Sequence, residues 1–251
     1  MVEMAADAVG GDVAIVLVHG AFHGPWCWDG VVGPLEGLGW RVRTVTLPLR
    51  SLRGDADVMR AVVRSAAASG ASVLLVGHSY GGVVVSAGGH EADELVYVAA
   101  GMPDAGECAA AAADRMGVPE LITSDDGLWV SVAPCDAPGI FYQDCAAEVI
   151  AKSVPRLRAL AISTQNESIS DPAWTRVRSS YVLCRRDKAL APSYQLERAQ
   201  RLGEYVEIDC GHSPFFSAIP RLVGRLDELA LRLRNTQKIG ARKSHRERTP
   251  S

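Results

Sequence analysis

The chain has 251 residues, 48% hydrophobic and 22% charged, with a formal net charge of −3 at pH 7. It is long enough to bury a full core without covalent staples, and its charge offers no field for nucleic acid. No apolar run approaches the ~18 residues of a membrane span, and the start, with Glu3, Asp7 and Asp12, lacks the order of a secretion signal. We therefore expect a cytoplasmic protein with neither a nucleic-acid nor a membrane partner.

Residues 1–12 read as a flexible, frayed start. Val13–Val18 is a continuous β-rich apolar run, as in a strand covered on both faces. Residues 28–38 read as a short helix closed by Gly39, and residues 41–47 as a strand stopped by Pro48. Residues 55–68 form the next helix, with Asp55 and Asp57 early, Arg60 and Arg64 later, and Gly70 after it. Strands follow at 73–76 and 94–99. This alternation predicts parallel β-α-β units in a doubly wound α/β sheet. After Gly101 the rhythm breaks. Residues 103–175 show no clear strand, have helices expected near 143–151 and 153–161, and read as a helical cap inserted in the sheet. The rhythm resumes with a strand at 180–184, a helix at 193–202, a strand at 205–209 and a helix at 220–234. The core is thus expected over 13–102 and 176–234. Residues 235–251 are polar and basic and read as a disordered tail.

The most informative segment is Gly77-His78-Ser79-Tyr80-Gly81-Gly82, between the apolar run 72–76 and the small-residue run 83–87. Strand, Gly-x-Ser-x-Gly turn and helix make a nucleophile elbow, which lifts Ser79 above the sheet edge at the positive end of a helix. A serine hydroxyl needs a base, and the base an orienting acid, in the chain order Ser, acid, His. Of six histidines only His212, in Asp209-Cys210-Gly211-His212-Ser213-Pro214, lies after a late strand and before the last helix. Asp187 follows the preceding strand and would fix the imidazole tautomer. Asp104, after the strand ending near Ala100, is the competing acid. The oxyanion of acyl transfer needs two backbone donors. The Tyr80 amide is one; the other is expected from Gly20-Ala21-Phe22-His23-Gly24, with Ala21 first and Phe22 second.

His19 is expected to steady that loop and His78 to fill the elbow, while His23 faces the pocket or a structural partner. Trp26, Trp28 and Trp40 read as core. Trp129, Phe141, Tyr142 and Trp174 could roof an apolar cavity; Phe22, Trp129, Phe141, Trp174 and Ser213 are the candidate substrate contacts. None of the six cysteines forms a C-x-x-C pair, so they read as free thiols rather than metal ligands. Cys135 and Cys145 are a pair that could meet in space. No metal or cofactor is expected, and a homodimer is left open.

With Val16-Leu17-Val18-His19-Gly20-Ala21-Phe22-His23-Gly24-Pro25-Trp26-Cys27-Trp28, the elbow and Cys210-Gly211-His212, residues 13–233 resemble the α/β-hydrolase superfamily. The likeness is to the branch of plant methylesterases, hydroxynitrile lyases and their bacterial esterase relatives. It implies an acid before the final strand, favouring Asp187 over Asp104. Hydroxynitrile lyases of this branch carry a lysine where this chain has Ser213, and a threonine where it has Gly20, which argues against cyanohydrin cleavage. The methionine-containing stretch of the plant methylesterases is here Ser213-Pro214-Phe215-Phe216, so their specificity does not carry over. The expected activity is hydrolysis of a small or medium carboxylic ester. A biosynthetic lyase or cyclase using the triad for proton transfer is the rival reading, and a non-catalytic ligand receptor the next.

Overall fold

In the computed structural model, which describes residues 13–112 and 120–247, the chain opens with three β-α repeats and a fourth strand. These are β1 (Val13–Val18), α1 (Asp29–Gly37), β2 (Arg41–Val45), α2 (Leu52–Ala67), β3 (Ser72–His78), α3 (Tyr80–Gly88) and β4 (Glu94–Val98). An insert follows with β5 (Ile122–Thr123), β6 (Trp129–Ser131), α4 (Ala137–Phe141), α5 (Ala147–Ser153), β7 (Leu160–Ala161) and α6 (Ser163–Asn166). The chain then returns through β8 (Ser179–Cys184), α7 (Pro192–Leu202), β9 (Tyr205–Ile208), α8 (Pro214–Ser217) and α9 (Ile219–Glu247).

The main sheet has six strands in the order β2-β1-β3-β4-β8-β9, and all neighbours run parallel. Helices cover both faces, so β1, β3, β4 and β8 are buried at every position. Side chains alternate along β1. Ala14, Val16 and Val18 join one core with Leu52, Ala56, Met59 and Val63 of α2. Val13, Ile15 and Leu17 join the other with Val31 and Leu35 of α1 and Leu222, Leu226, Leu229 and Leu233 of α9, at helical spacing. The edge strands expose Arg41, Arg43 and Glu207, charges that discourage further strand pairing. From β1 the chain moves outward to β2, then crosses back to β3 on the other side of β1. Such a reversal opens a crevice at the carboxyl ends of β1 and β3, where ligands of doubly wound sheets bind.

Several local expectations change. The helix expected from Asp55 starts at Leu52, because Ser51 Oγ accepts the Gly54 amide at 3.1 Å. The Glu167 carboxylate takes the Leu52 and Arg53 amides at 3.0 and 2.9 Å. Asp55 is thereby fully buried within the helix rather than sitting at its mouth.

The insert, expected to be helical, contains an antiparallel sheet of β5, β6 and β7. Its strands have two or three residues each, too short to show alternation. The helices expected near 143–151 and 153–161 contract to α5 and a single 3-10 turn, Val154–Arg156, at Pro155, whose ring removes an amide from any continuing helix. The last helix does not stop at Arg234. Residues 235–247, read as a disordered tail, continue α9; Gln237, Lys238, Ala241 and Arg242 are good helix formers and no proline intervenes. The expected frayed start at 1–12, residues 113–119 of the cap and 248–251 of the tail lie outside the described residues. Among the described residues, no helix is long and apolar enough to cross a membrane.

Candidate active site

Ser79 follows β3 with φ 53° and ψ −121°, a conformation that non-glycine residues rarely adopt. The turn is this tight because strand and helix nearly touch. A Cβ on Gly77 would lie 2.7 Å from the Gly81 carbonyl oxygen, and one on Gly81 2.6 Å from that of Val18. The strained residue is pinned on both sides. Its amide donates to the Val98 carbonyl at 3.2 Å, and its carbonyl accepts the Gly82 and Gly101 amides at 3.0 and 3.1 Å.

His212 sits in the loop between β9 and α8, and its Nδ1 donates to Asp187 Oδ2 at 2.8 Å. That bond assigns the proton to Nδ1 and leaves Nε2 unprotonated and able to accept one. Asp187 is buried and fully engaged. Its Oδ1 accepts the Ala189 and Leu190 amides at 2.8 and 2.9 Å, and its Oδ2 also accepts Gln195 Nε2 at 2.7 Å. The His212 carbonyl accepts from His78 Nε2 at 2.8 Å, so the elbow and the base loop are bonded to each other. Asp104 is elsewhere, bound to Arg198 at 2.8 Å and Arg201 at 2.7 Å.

The Tyr80 amide opens α3 and has no intrahelical acceptor. On the facing loop, His19 Nδ1 donates to the Gly20 carbonyl at 2.8 Å, while its Nε2 accepts the Leu47 amide at 3.1 Å. A trans peptide sets its carbonyl and the following N–H in opposite directions. Tying back Gly20 therefore turns the Ala21 amide the other way. His23 repeats the pattern: Nδ1 donates to the Ala21 carbonyl at 2.9 Å and Nε2 accepts the Tyr142 hydroxyl at 2.8 Å. Burial pushes His19 down to about 4 and His23 down to about 3, and holds His78 well below its ordinary value. These rings act as neutral struts.

Ala21, Tyr80, Ser79 and His212 all border one cavity. Phe22, Val83, Ala189 and Leu190 also line its lower wall, and Ala109, Leu121, Phe141, Leu160 and Gln165 of the insert roof it. With a strained serine and a histidine–aspartate pair at one apolar space that Ala21 and Tyr80 also border, the arrangement suits acyl transfer.

Residues 15–225 match the alpha/beta hydrolase family. The chain belongs to that family. It is 27% identical over 252 residues to norfluorocurarine synthase 1 of Strychnos nux-vomica, covering 86% of this chain and 94% of the relative. It is 26% identical over 220 residues to esterase PIR7B of Oryza sativa subsp. japonica, covering 72% and 80%. Among solved structures, a methylesterase from Arabidopsis superposes with a TM-score of 0.73 at 20% identity, covering 86% of this chain and 98% of that one.

In this hydrolase the other expected contacts separate. Phe22 and Phe141 line the cavity, their rings 6.1 Å apart. Trp129 lies on β6 beside a different groove, with the Arg50 guanidinium 5.9 Å from its ring centre. Trp174 donates its indole N–H to the Pro103 carbonyl at 2.9 Å and packs under Arg201. Tyr142 is spent on His23, behind the cavity wall. Ser213 is buried off the cavity because the α8 turn starts at Pro214 and draws residue 213 into the protein. All six cysteines are free, Cys135 and Cys145 included; Cys184 and Cys210 have Sγ atoms 3.5 Å apart.

Four residues escaped the sequence reading. Gln195 holds Asp187 from α7, and Gln165 is a polar side chain on an apolar roof. Asp55 accepts the Tyr80 hydroxyl at 2.8 Å beneath the elbow, and Arg158 grips the loop after β1 through the His23 carbonyl. Asp55 and Arg158 act across the fold, Gln195 reaches back from a helix and Gln165 stands alone in the insert, so no motif spacing marks them.

Proposed function

We propose that this hydrolase cleaves a small or medium carboxylic ester through an acyl-enzyme on Ser79. The observation that carries the reading is the strained Ser79 sharing a cavity wall with His212, whose Nδ1 is bonded to Asp187. His212 Nε2 takes the hydroxyl proton as Ser79 Oγ attacks the ester carbonyl. The tetrahedral oxyanion rests on the Ala21 and Tyr80 amides. His212 then protonates the departing alcohol, and in the second half it activates water to release the acid. The apolar roof favours an acyl or alcohol group without charge. The esterase named among the relatives supports the same chemistry.

The test is a stopped-flow measurement with p-nitrophenyl butyrate. A burst of p-nitrophenol should precede the steady state, and Ser79→Ala should lower kcat by roughly 10⁴- to 10⁶-fold. Wild-type protein that neither turns over esters nor labels with a fluorophosphonate would sink this reading. A second reading rests on the synthase among the relatives: a biosynthetic lyase or cyclase using the triad for proton transfer. An eliminated or ring-closed product by mass spectrometry, without ester hydrolysis, would favour it.

A further inference from the structure

Every carbonyl of the loop from Gly20 to Gly24 accepts a hydrogen bond. His19 Nδ1 holds Gly20 at 2.8 Å, His23 Nδ1 holds Ala21 at 2.9 Å, and the Cys27 amide holds Gly24 at 3.2 Å. The two between, Phe22 and His23, are held by one residue of the insert. The Arg158 amide donates to the Phe22 carbonyl at 2.7 Å. Its guanidinium donates to the His23 carbonyl through Nη2 at 2.8 Å and Nε at 3.2 Å. Nη2 also reaches the Leu47 carbonyl at 3.3 Å, and the amide of that same Leu47 fixes the His19 tautomer. Phe22 has φ 64°, a left-handed conformation a phenylalanine keeps only when its neighbours enforce it. Arg158 lies two residues before Leu160, which touches the cavity from β7. A group packed on Leu160 is thus two residues from the clamp on the oxyanion loop.

We propose that Arg158 is a positioning residue for the oxyanion hole, fastening the Phe22–His23 turn from the insert so that a filled cavity steadies the Ala21 amide. The inference rests on Ser79 being an acyl-accepting nucleophile. Binding of an acyl chain against the roof is then expressed in kcat and not only in KM, as when remote contacts are used to order the reacting centre.

The test uses the full chain with Arg158→Met and Arg158→Lys, active sites being counted by fluorophosphonate titration. Substrates are p-nitrophenyl acetate and hexanoate, and phenylethylboronic acid serves as the tetrahedral probe. In Arg158→Met, kcat per titrated site should fall ~10- to 100-fold, below the ~10²–10³ for outright loss of a donor, with KM changed less than about threefold. Boronate affinity should weaken in proportion to kcat/KM, and the gain in kcat from acetate to hexanoate should shrink. Arg158→Lys keeps the backbone donor and the charge and should recover part of the loss. If Arg158→Met does not fold, Arg158→Lys carries the test, with an expected kcat loss of about threefold to tenfold. Unchanged kcat per site with only a lower Tm would make Arg158 a purely structural residue and overturn the proposal. A raised KM with unchanged kcat would do the same. Wild-type protein that fails to label overturns the acyl-enzyme reading first, and this one with it.

Discussion

On the floor of the cavity, each polar group of the proposed machinery is tied by several bonds. Asp187 accepts from His212, Gln195 and two amides; His19 and His23 use both ring nitrogens; Ser79 is held by its own backbone. The roof is different. Leu121 just before β5, Phe141 at the end of α4 and Leu160 in β7 meet the cavity with apolar surface. Directional bonds fix a geometry to tenths of an ångström, whereas apolar contacts adapt to volume. Under the proposed function, the chemical step belongs to the floor and the choice of substrate to the roof.

The sharpest way to break that division is Asp187→Asn. With the tautomer-fixing acceptor gone, kcat should drop by roughly 10⁴-fold while KM moves only a few-fold. An equal loss in both parameters would show that Asp187 also shapes binding.

Acid should weaken the floor next. His19, His23 and His78 bind a proton less readily when folded than their ordinary 6.5, because they are buried. As pH falls below about 6.5 the unfolded chain protonates first, so their contribution is whole above that value. It drains until the folded values of about 4 for His19 and about 3 for His23 are passed. The slope is about 1.4 kcal/mol per pH unit for each histidine. Urea midpoints should therefore fall as pH drops from about 6.5 to 5; a flat profile there would contradict the neutral-strut account.

Two roof variants complete the comparison. Phe141→Ala should cost about tenfold in kcat/KM on a hexanoate ester, the usual effect of lost apolar contact, yet leave acetate turnover within about threefold. Trp129→Ala, outside the cavity, should stay within about twofold on both. A large Trp129 effect, read from the same ester pair, would mean that its groove communicates with the site.

The elbow was readable because its demands are local: Gly77, Ser79 and Gly81 must share one turn. Asp187 and His212 were readable through chain order, since each lies in the loop that follows a strand of the same parallel sheet. Gln195 was not, because it reaches Asp187 from a helix eight residues on. The small sheet β5–β7 left no period in strands of two or three residues. Trp129 and Phe141 looked equivalent as cap aromatics, and only the path of the insert set one against the cavity and the other on a separate groove.

By itself the amino-acid order determined the alternation of strands and helices, the strained serine and the partners it requires. Those features follow from side-chain period and backbone sterics over a few residues. The roof, the four-donor seat of Asp187 and the Arg158 clamp on the Phe22–His23 turn were decided by tertiary structure. The roof and the clamp join residues far apart in the chain, whose meeting depends on how the insert folds back over the carboxyl ends of β1 and β3, while the Asp187 seat needs α7 and the His212 loop to converge on one carboxylate.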